Sequence, residues 1–428
     1  DVVFALLNLY KEITGVSVAS SATPIDGEIK KLAKTLKQAG SKGVVMTGVN
    51  DVNAQVISLA INEALSSEII DTKNSLNIRQ GSFEQVQDVI ADMKAGKVGG
   101  IFTVNVDPSY SLPNALEFTE LLKNVDLKVA LSVENNETVN AMEYALPAPH
   151  FLESWGDTQF SEGNYGLIQP TIQPLFNTRQ IQDTLLQWSG SSTSYYDYLK
   201  SFWSTEVLDG SSWNKALHNG FYNKTIGNVE QSSIDISIPE IAAKLKKSTT
   251  ASGMELSLYT KTGLGDGKQA NNPWLQEFPD PITRTSWDNY VTVSKADAEA
   301  MGLENVNVAT GGLNGSLVNV TMGDVVIENV PVLIQPGQAK GSVGLALGYG
   351  KTASIQEEMQ TGVNAYALYK DFSAIQNVTL EKVEGEHEFA CVQLHNTMMG
   401  RDIIRETSLE VFNTKTARDW NPVPMVSK

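Results

Sequence analysis

The sequence predicts two unlike domains in series, a parallel α/β layer and then a closed or nearly closed β-barrel. From Lys42 to about Pro149, short β-branched runs alternate with segments of helical period, as a helix-covered parallel sheet requires. From Glu255 to Tyr369 the text becomes short alternating strands separated by Gly, Asn and Pro, the signature of closed antiparallel architecture. Between Phe151 and about Ser252 neither period holds, and four of the seven tryptophans (Trp155, Trp188, Trp203, Trp213) fall there beside Tyr195, Tyr196 and Tyr198. The divisions are therefore 1–150 (α/β), 151–252 (an aromatic connecting and covering region), 253–370 (barrel) and 371–428 (a tail).

A first helix begins at once, with Val2, Val3, Leu6, Leu7 and Tyr10 on one stripe. The start at Asp1, without Met, suggests a fragment or a processed product. Strands are expected at Gly43–Thr47, Val98–Val104 and Lys128–Val133. Asn53–Leu65 reads as a helix packed by Val56, Ile57, Ala60, Ile61 and Leu65. In the next helix Ser82 caps, Gln85 closes a capping box, Phe83, Val86, Val89, Ile90 and Met93 form the stripe, and Gly96 terminates it. A brief helix follows from Glu137. Pro147 and Pro149 then exclude helix and central strand and force an extended path towards Glu153. In the aromatic region, plain core packing outweighs a binding surface as the use of so much ring area.

The barrel strands are ELSLYT, NYVTVS, NVNVATG, GSLVNVTMG, DVVIENVPVLI, VGLALG and VNAYALY. One helix interrupts them, Lys295 to Met301, capped by Ser294 and ended by Gly302. Gly311, Gly312, Asn314 and Gly315 make a hairpin turn. The tail from Asp371 reads as a connecting element that adds little to either core. Within it, Gly400 to Glu406 look like a helix start and Asn421 to Pro424 a linker.

Composition removes several classes of function. Lys and Arg number 32 against 49 Asp and Glu, a net charge of −17, so nucleic acid is repelled. Cys391 is the one cysteine and cannot by itself hold a disulfide or an iron–sulfur cluster. No apolar run approaches the ~20 residues that cross a bilayer, and the first residues lack the pattern of a signal peptide.

Two stretches carry a family resemblance. In 98–156, a strand, the Glu137–Thr138 pair, a helix and the motif Leu146, Pro147, Ala148, then Glu153, occur in the order found in molybdopterin oxidoreductases of the dimethyl sulfoxide reductase and formate dehydrogenase type. In 290–350, the Ser-capped helix with Asp297, Ala298 and Gly302, paired strands, and then Pro336 and Gly337 resemble the dinucleotide-binding barrel of that family. The runs LPAPHFLESWGD, QPTIQPLFNTRQIQDTLL and HNTMMGRDIIRETSLEVF narrow the resemblance to the B subunits of bacterial alternative complex III. It implies a dinucleotide-binding-like α/β domain and a barrel of the molybdopterin dinucleotide type. It also implies an electron-transfer subunit of a quinol-oxidising complex on the periplasmic side of the inner membrane, not itself membrane-inserted, with other subunits as partners and iron–sulfur clusters in a downstream region.

Departures from the family pattern bear on the cofactor. Where active members carry a guanine-binding aspartate at the strand end, this sequence has Ser132, and a hydroxyl lacks a carboxylate's paired acceptors. The acidic G-I-x-x-G-D turn is here Gly302, Leu303, Glu304, Asn305 and Val306. The family's molybdenum ligand would lie upstream of Asp1. The resemblance therefore implies a retained fold without a catalytic or metal site, whose vestigial cleft is marked by Asn50, Asn105, Ser132, Glu137, Thr138, Asn271 and Asn272. The alternative is a catalytic chain that binds molybdopterin guanine dinucleotide.

Other motifs have plainer readings. His150 and Glu153 have ligand spacing but no third partner, which favours a structural hydrogen bond. Gly350, Lys351 and Thr352 imitate the end of a P-loop, yet Leu345 stands where that loop needs glycine. Asn271, Asn272 and Pro273 are also what a capped turn requires. His218, His387 and His395 have no cluster of acids or cysteines around them, and no G-x-S-x-G elbow is present.

Overall fold

The computed structural model describes residues 2–71, 74–78, 81–225, 236–249, 253–308, 311–373, 375–392 and 404–422. His395, the expected helix start at Gly400 to Ile403, and Val423 and Pro424 of the expected linker lie outside them.

The chain opens with a helical unit, α1 (Val2–Thr14), α2 (Asp26–Ala39) and α3 (Val52–Ala64), completed by a helix much later in sequence, Ile238–Thr249. Leu7, Ile57 and Ile61 are fully buried at its centre, each worth about 1.5–3 kcal/mol against exposure. Asp51 caps α3 by accepting from Asn53 and Ala54 N–H. The expected strand at Gly43–Thr47 does not form a ladder. Its backbone is satisfied by side chains of α3 instead: Val45 N–H donates to Asn62 Oδ1 at 2.7 Å, while Ser58 Oγ and Asn62 Nδ2 donate to Val45 O.

The parallel layer follows. After α4 (Phe83–Lys94) come β1 (Gly100–Val104), α5 (Pro108–Ser111), α6 (Ala115–Leu121), β2 (Leu127–Ser132), α7 (Glu137–Asn140) and β3 (Tyr144–Pro147). The order is β1-β2-β3, both pairs parallel. Ser82 Oγ accepts from Gln85 N–H at the start of α4, and Gly96 leaves it at φ 66°. Of the expected stripe Ile90 and Met93 are buried, whereas Val89 is exposed. Pro147 ends the edge strand β3, where its missing N–H costs no ladder bond.

Residues 156–223 form a small unit of their own. The strands β4 (Gly156–Ser161), β5 (Asn164–Ile168) and β6 (Phe221–Asn223) make an antiparallel sheet against α8 (Ile181–Trp188), α9 (Tyr195–Phe202) and α10 (Trp213–Asn219). Trp203 and Trp213 meet edge to face at 6.1 Å inside it. Trp203 is fully buried and Trp188 is half exposed, so the aromatic area fills this unit's own core. This is the plain core packing that the sequence favours.

After α11 (Ile238–Thr249) comes a mixed sheet of β7 (Met254–Thr260), β8 (Thr285–Ser286), β9 (Val291–Val293), β10 (Asn305–Asn307), β11 (Leu313–Met322), β12 (Val325–Ile334), β13 (Ser342–Leu347) and β14 (Ile375–Cys391), with α12 (Pro273–Glu277) and α13 (Lys295–Met301) between strands. Its pairings β11-β12-β9-β13-β7-β14 return to β11, so six strands close on themselves. Val318, Val320, Val330, Val332, Leu345 and Leu256 are fully buried within. Ser294 and Gly302 bound α13 as expected, and Asp297 also accepts from Gly341 N–H at 2.8 Å, tying the helix to the turn before β13.

Three expectations fail in this half. Val363–Tyr369 is not a strand; Ala365–Leu368 is a 3₁₀ turn led by Asn364, which accepts from Tyr366 N–H. The tail is not peripheral either. Residues 375–391 form the longest strand, pairing β7, β11 and β8, because the open edges of β7 and β11 both need a partner. Ile404, Arg405 and Glu406 are non-helical; the helix there starts at Leu409, behind Ser408.

Candidate functional site at the strand ends

Parallel sheets place ligand-facing groups at the carboxyl ends of their strands. There β1 runs into Asn105, at φ 51°, and β2 into Ser132. Asn105 fixes both ends: its N–H donates to Leu131 O at 2.9 Å and its Oδ1 accepts from Val133 N–H at 3.1 Å. Beyond them a cleft of about 400 Å³ opens towards the aromatic unit, lined among others by Val104, Asn105, His150, Trp155, Asp157 and Gln180. A second hollow of about 330 Å³ holds Ser132, Glu134 and Pro147.

His150 and Glu153 are structural. Glu153 Oε2 accepts from His150 N–H and His150 Nδ1 accepts from Leu152 N–H, a reciprocal cap on the turn Phe151–Glu153. Asp157 accepts from Trp203 Nε1 at 2.9 Å. Ser132 Oγ accepts from Glu134 N–H. Burial raises the pKa of the Glu134 carboxyl, against the pull of Lys351 and Lys268.

The densest polar cluster lies one turn further on, where the α/β layer meets the closed sheet. Lys351 Nζ contacts Asp107 Oδ2 at 2.6 Å and Glu137 Oε2 at 2.9 Å, and sits 4.3 Å from the centre of the Tyr110 ring. Asp107 Oδ1 also accepts from Thr138 N–H and Oγ, while Glu137 Oε1 accepts from Thr352 and Ala353 N–H. Burial and the contact with Glu137 raise the pKa of Asp107. Glu137 is lowered although burial opposes it, through Asp107, Lys351 and the Thr352 N–H. Burial works against the charge of Lys351 too, but the two carboxylates outweigh it and raise its pKa. Tyr110 OH donates to Tyr349 O and Asn364 Nδ2 donates to Tyr110 O, so the same junction is bonded from both sides.

The Gly350–Lys351 pair thus has a structural explanation. Gly350 is at φ 71°, and a Cβ there would lie 2.4 Å from Asn364 N. Its lysine serves protein carboxylates, not a phosphate.

A second buried cation lies within the closed sheet. Lys261 Nζ donates to Asp288 O at 2.6 Å and lies 4.2 Å and 5.1 Å from the ring centres of Tyr290 and Tyr349. Asp288 in turn pairs with His387 Nε2 at 2.8 Å. Burial pushes Lys261 down to about 8, against the attraction of Asp280 and Asp288.

The structure therefore brings together Asn105 and Ser132 at neighbouring strand ends, and Glu137 and Thr138 at the junction. It does not bring in the others. Asn50 donates to Phe372 O at 2.8 Å, Asn272 caps α12 by accepting from Trp274 N–H, and Asn271 is exposed. Asp107, Tyr110 and Lys261 gave no sequence signal, and Lys351 was visible only inside a failed P-loop. For a molybdopterin dinucleotide the fit is poor. The lining of the larger cleft contains no Lys or Arg for a pyrophosphate, and at the guanine-side position Ser132 offers a hydroxyl already engaged by the chain.

A parallel α/β layer joined to a closed mixed sheet, with its clefts at the strand ends, is the class of protein these features define. One relative bears a name that agrees with the family resemblance. The chain is 24% identical over 294 residues to the molybdopterin-binding-like subunit of a menaquinone reductase from Nitratidesulfovibrio vulgaris, which covers 65% of this chain and 40% of the relative. Among solved structures, acetylene hydratase from Pelobacter acetylenicus superposes with a TM-score of 0.49 at 12% identity, over 69% of this chain and 46% of that one. No family model matches. The chain spans less than half the length of either protein.

Proposed function

We propose that this chain is a molybdopterin-oxidoreductase-like segment of a quinone-linked electron-transfer subunit, of the alternative complex III type, which acts as a scaffold without a molybdopterin of its own. On this reading the closed sheet is the counterpart of a dinucleotide-binding barrel, and the parent protein sits on the periplasmic side of the inner membrane beside iron–sulfur and quinone-reactive partners. The observation that carries it is the combination of a relative named as a molybdopterin-binding-like subunit of a menaquinone reductase with a strand-end cleft lined by no cation. Lys351, the lysine of the failed P-loop motif, is engaged by Asp107 and Glu137 and is not free for a phosphate.

The test uses the native complex isolated through a tag on the full-length subunit. Asn105→Ala with His150→Ala should leave quinol oxidation within about twofold of wild type, since a scaffold cleft handles no reactant. Loss of turnover by about a hundredfold or more, with the complex still assembled, would make the cleft catalytic and end the scaffold reading.

A further inference from the structure

The chain is strongly acidic, with a net charge of −17, yet residues 29–50 hold five lysines and no aspartate or glutamate. Four of these, Lys30, Lys31, Lys34 and Lys37, lie on α2 and are exposed. At 3.6 residues per turn they fall within roughly 120° of the helix circumference, away from Ile29 and Ala33, which face the core. Lys30, Lys34 and Lys37 wall a groove of about 390 Å³ together with Glu12. None of the ion pairs among the described residues uses any of the four. Asp26, the acid one turn before Lys30, is committed to Thr23 and Asn8.

We propose that this face of α2 docks on an anionic lipid bilayer, its lysine ammoniums binding the phosphates of the headgroups. Charge complementarity fixes the sign of the partner, and the choice of residue fixes its kind. Lysine is depleted from protein–protein interfaces, whereas arginine is enriched. Flexible point charges without a planar fork suit a diffuse layer of headgroups better than a fixed carboxylate. Clusters of four or more basic residues on a surface helix have this use. Among the described residues no helix is long and apolar enough to span a membrane, so the contact is peripheral. The acidic remainder of the molecule is repelled by the same surface, which leaves α2 as the face that approaches.

Co-sedimentation with vesicles decides. The chain should bind vesicles of phosphatidylglycerol mixed with phosphatidylcholine, release them at high salt, and ignore pure phosphatidylcholine. Reversing Lys30, Lys31, Lys34 and Lys37 together to Glu should lower binding at least about tenfold. The control reverses the exposed Lys200, Lys215, Lys340 and Lys415, the same change in net charge, and should keep binding within about twofold. Circular dichroism checks that both variants fold. Equal loss in both variants, equal binding to the neutral vesicles, or no binding to the anionic ones would each overturn the proposal. Capture of an acidic protein through these lysines without vesicle binding would overturn it as well.

Discussion

Lys351 and Lys261 are both buried cations, held in opposite ways. Lys351 faces two carboxylates, so replacing it with Met strands like charges in a low-dielectric junction. A loss of about 3–5 kcal/mol in unfolding free energy is expected. Adding Asp107→Asn and Glu137→Gln should restore part of it, and urea unfolding of the three variants measures both steps. Lys261 is held by a carbonyl and two ring faces, and burial lowers its folded pKa to about 8, below the ~10.4 of an unfolded lysine. Between those values the unfolded chain holds the extra proton, so this group's contribution to stability rises with pH from about 8 upwards. Relative to Lys261→Met, the wild type should gain roughly 1–2 kcal/mol between pH 7.5 and 9.5. Parallel pH profiles for the two proteins would show that the amine is not desolvated as described.

At the scale of elements, β14 makes the clearest demand. It supplies the partner of both β7 and β11, so cleavage near Asp371 followed by removal of the C-terminal piece should unfold the closed sheet cooperatively. Protease resistance of 253–370 after that removal would show that the ring stands without it. The sequence showed α4 and α13 because cap, stripe and terminating glycine are all local, with Ser82 and Gly96 for one and Ser294 and Gly302 for the other. Gly43–Thr47 misled because its β-branched run is extended but bonded by Asn62 and Ser58, 13 to 17 residues on. Val363–Tyr369 alternates like a strand, yet its backbone serves Asn289 and the turn behind Asn364. The candidate site was half legible. Ser132, Glu137 and Thr138 follow from strand-end position and motif. The Lys351–Asp107 contact joins residues 244 apart and leaves no local pattern.

At the scale of the molecule, the α/β layer and the closed sheet are held by contacts that close their junction from inside. Tyr110 enters the core of the closed sheet, and Lys351 binds Asp107, in the loop after β1, and Glu137, the first residue of α7 after β2. On the proposed scaffold reading, such a junction would hold the geometry offered to neighbouring subunits without a bound cofactor. Direct elemental and pterin analysis of the native full-length subunit tests whether this chain is without a molybdopterin. Molybdenum and tungsten well below one atom per chain, with no pterin fluorescence after denaturation, is the expected result. Stoichiometric molybdenum or tungsten with a released pterin would contradict the account and make this chain part of a catalytic molybdopterin enzyme.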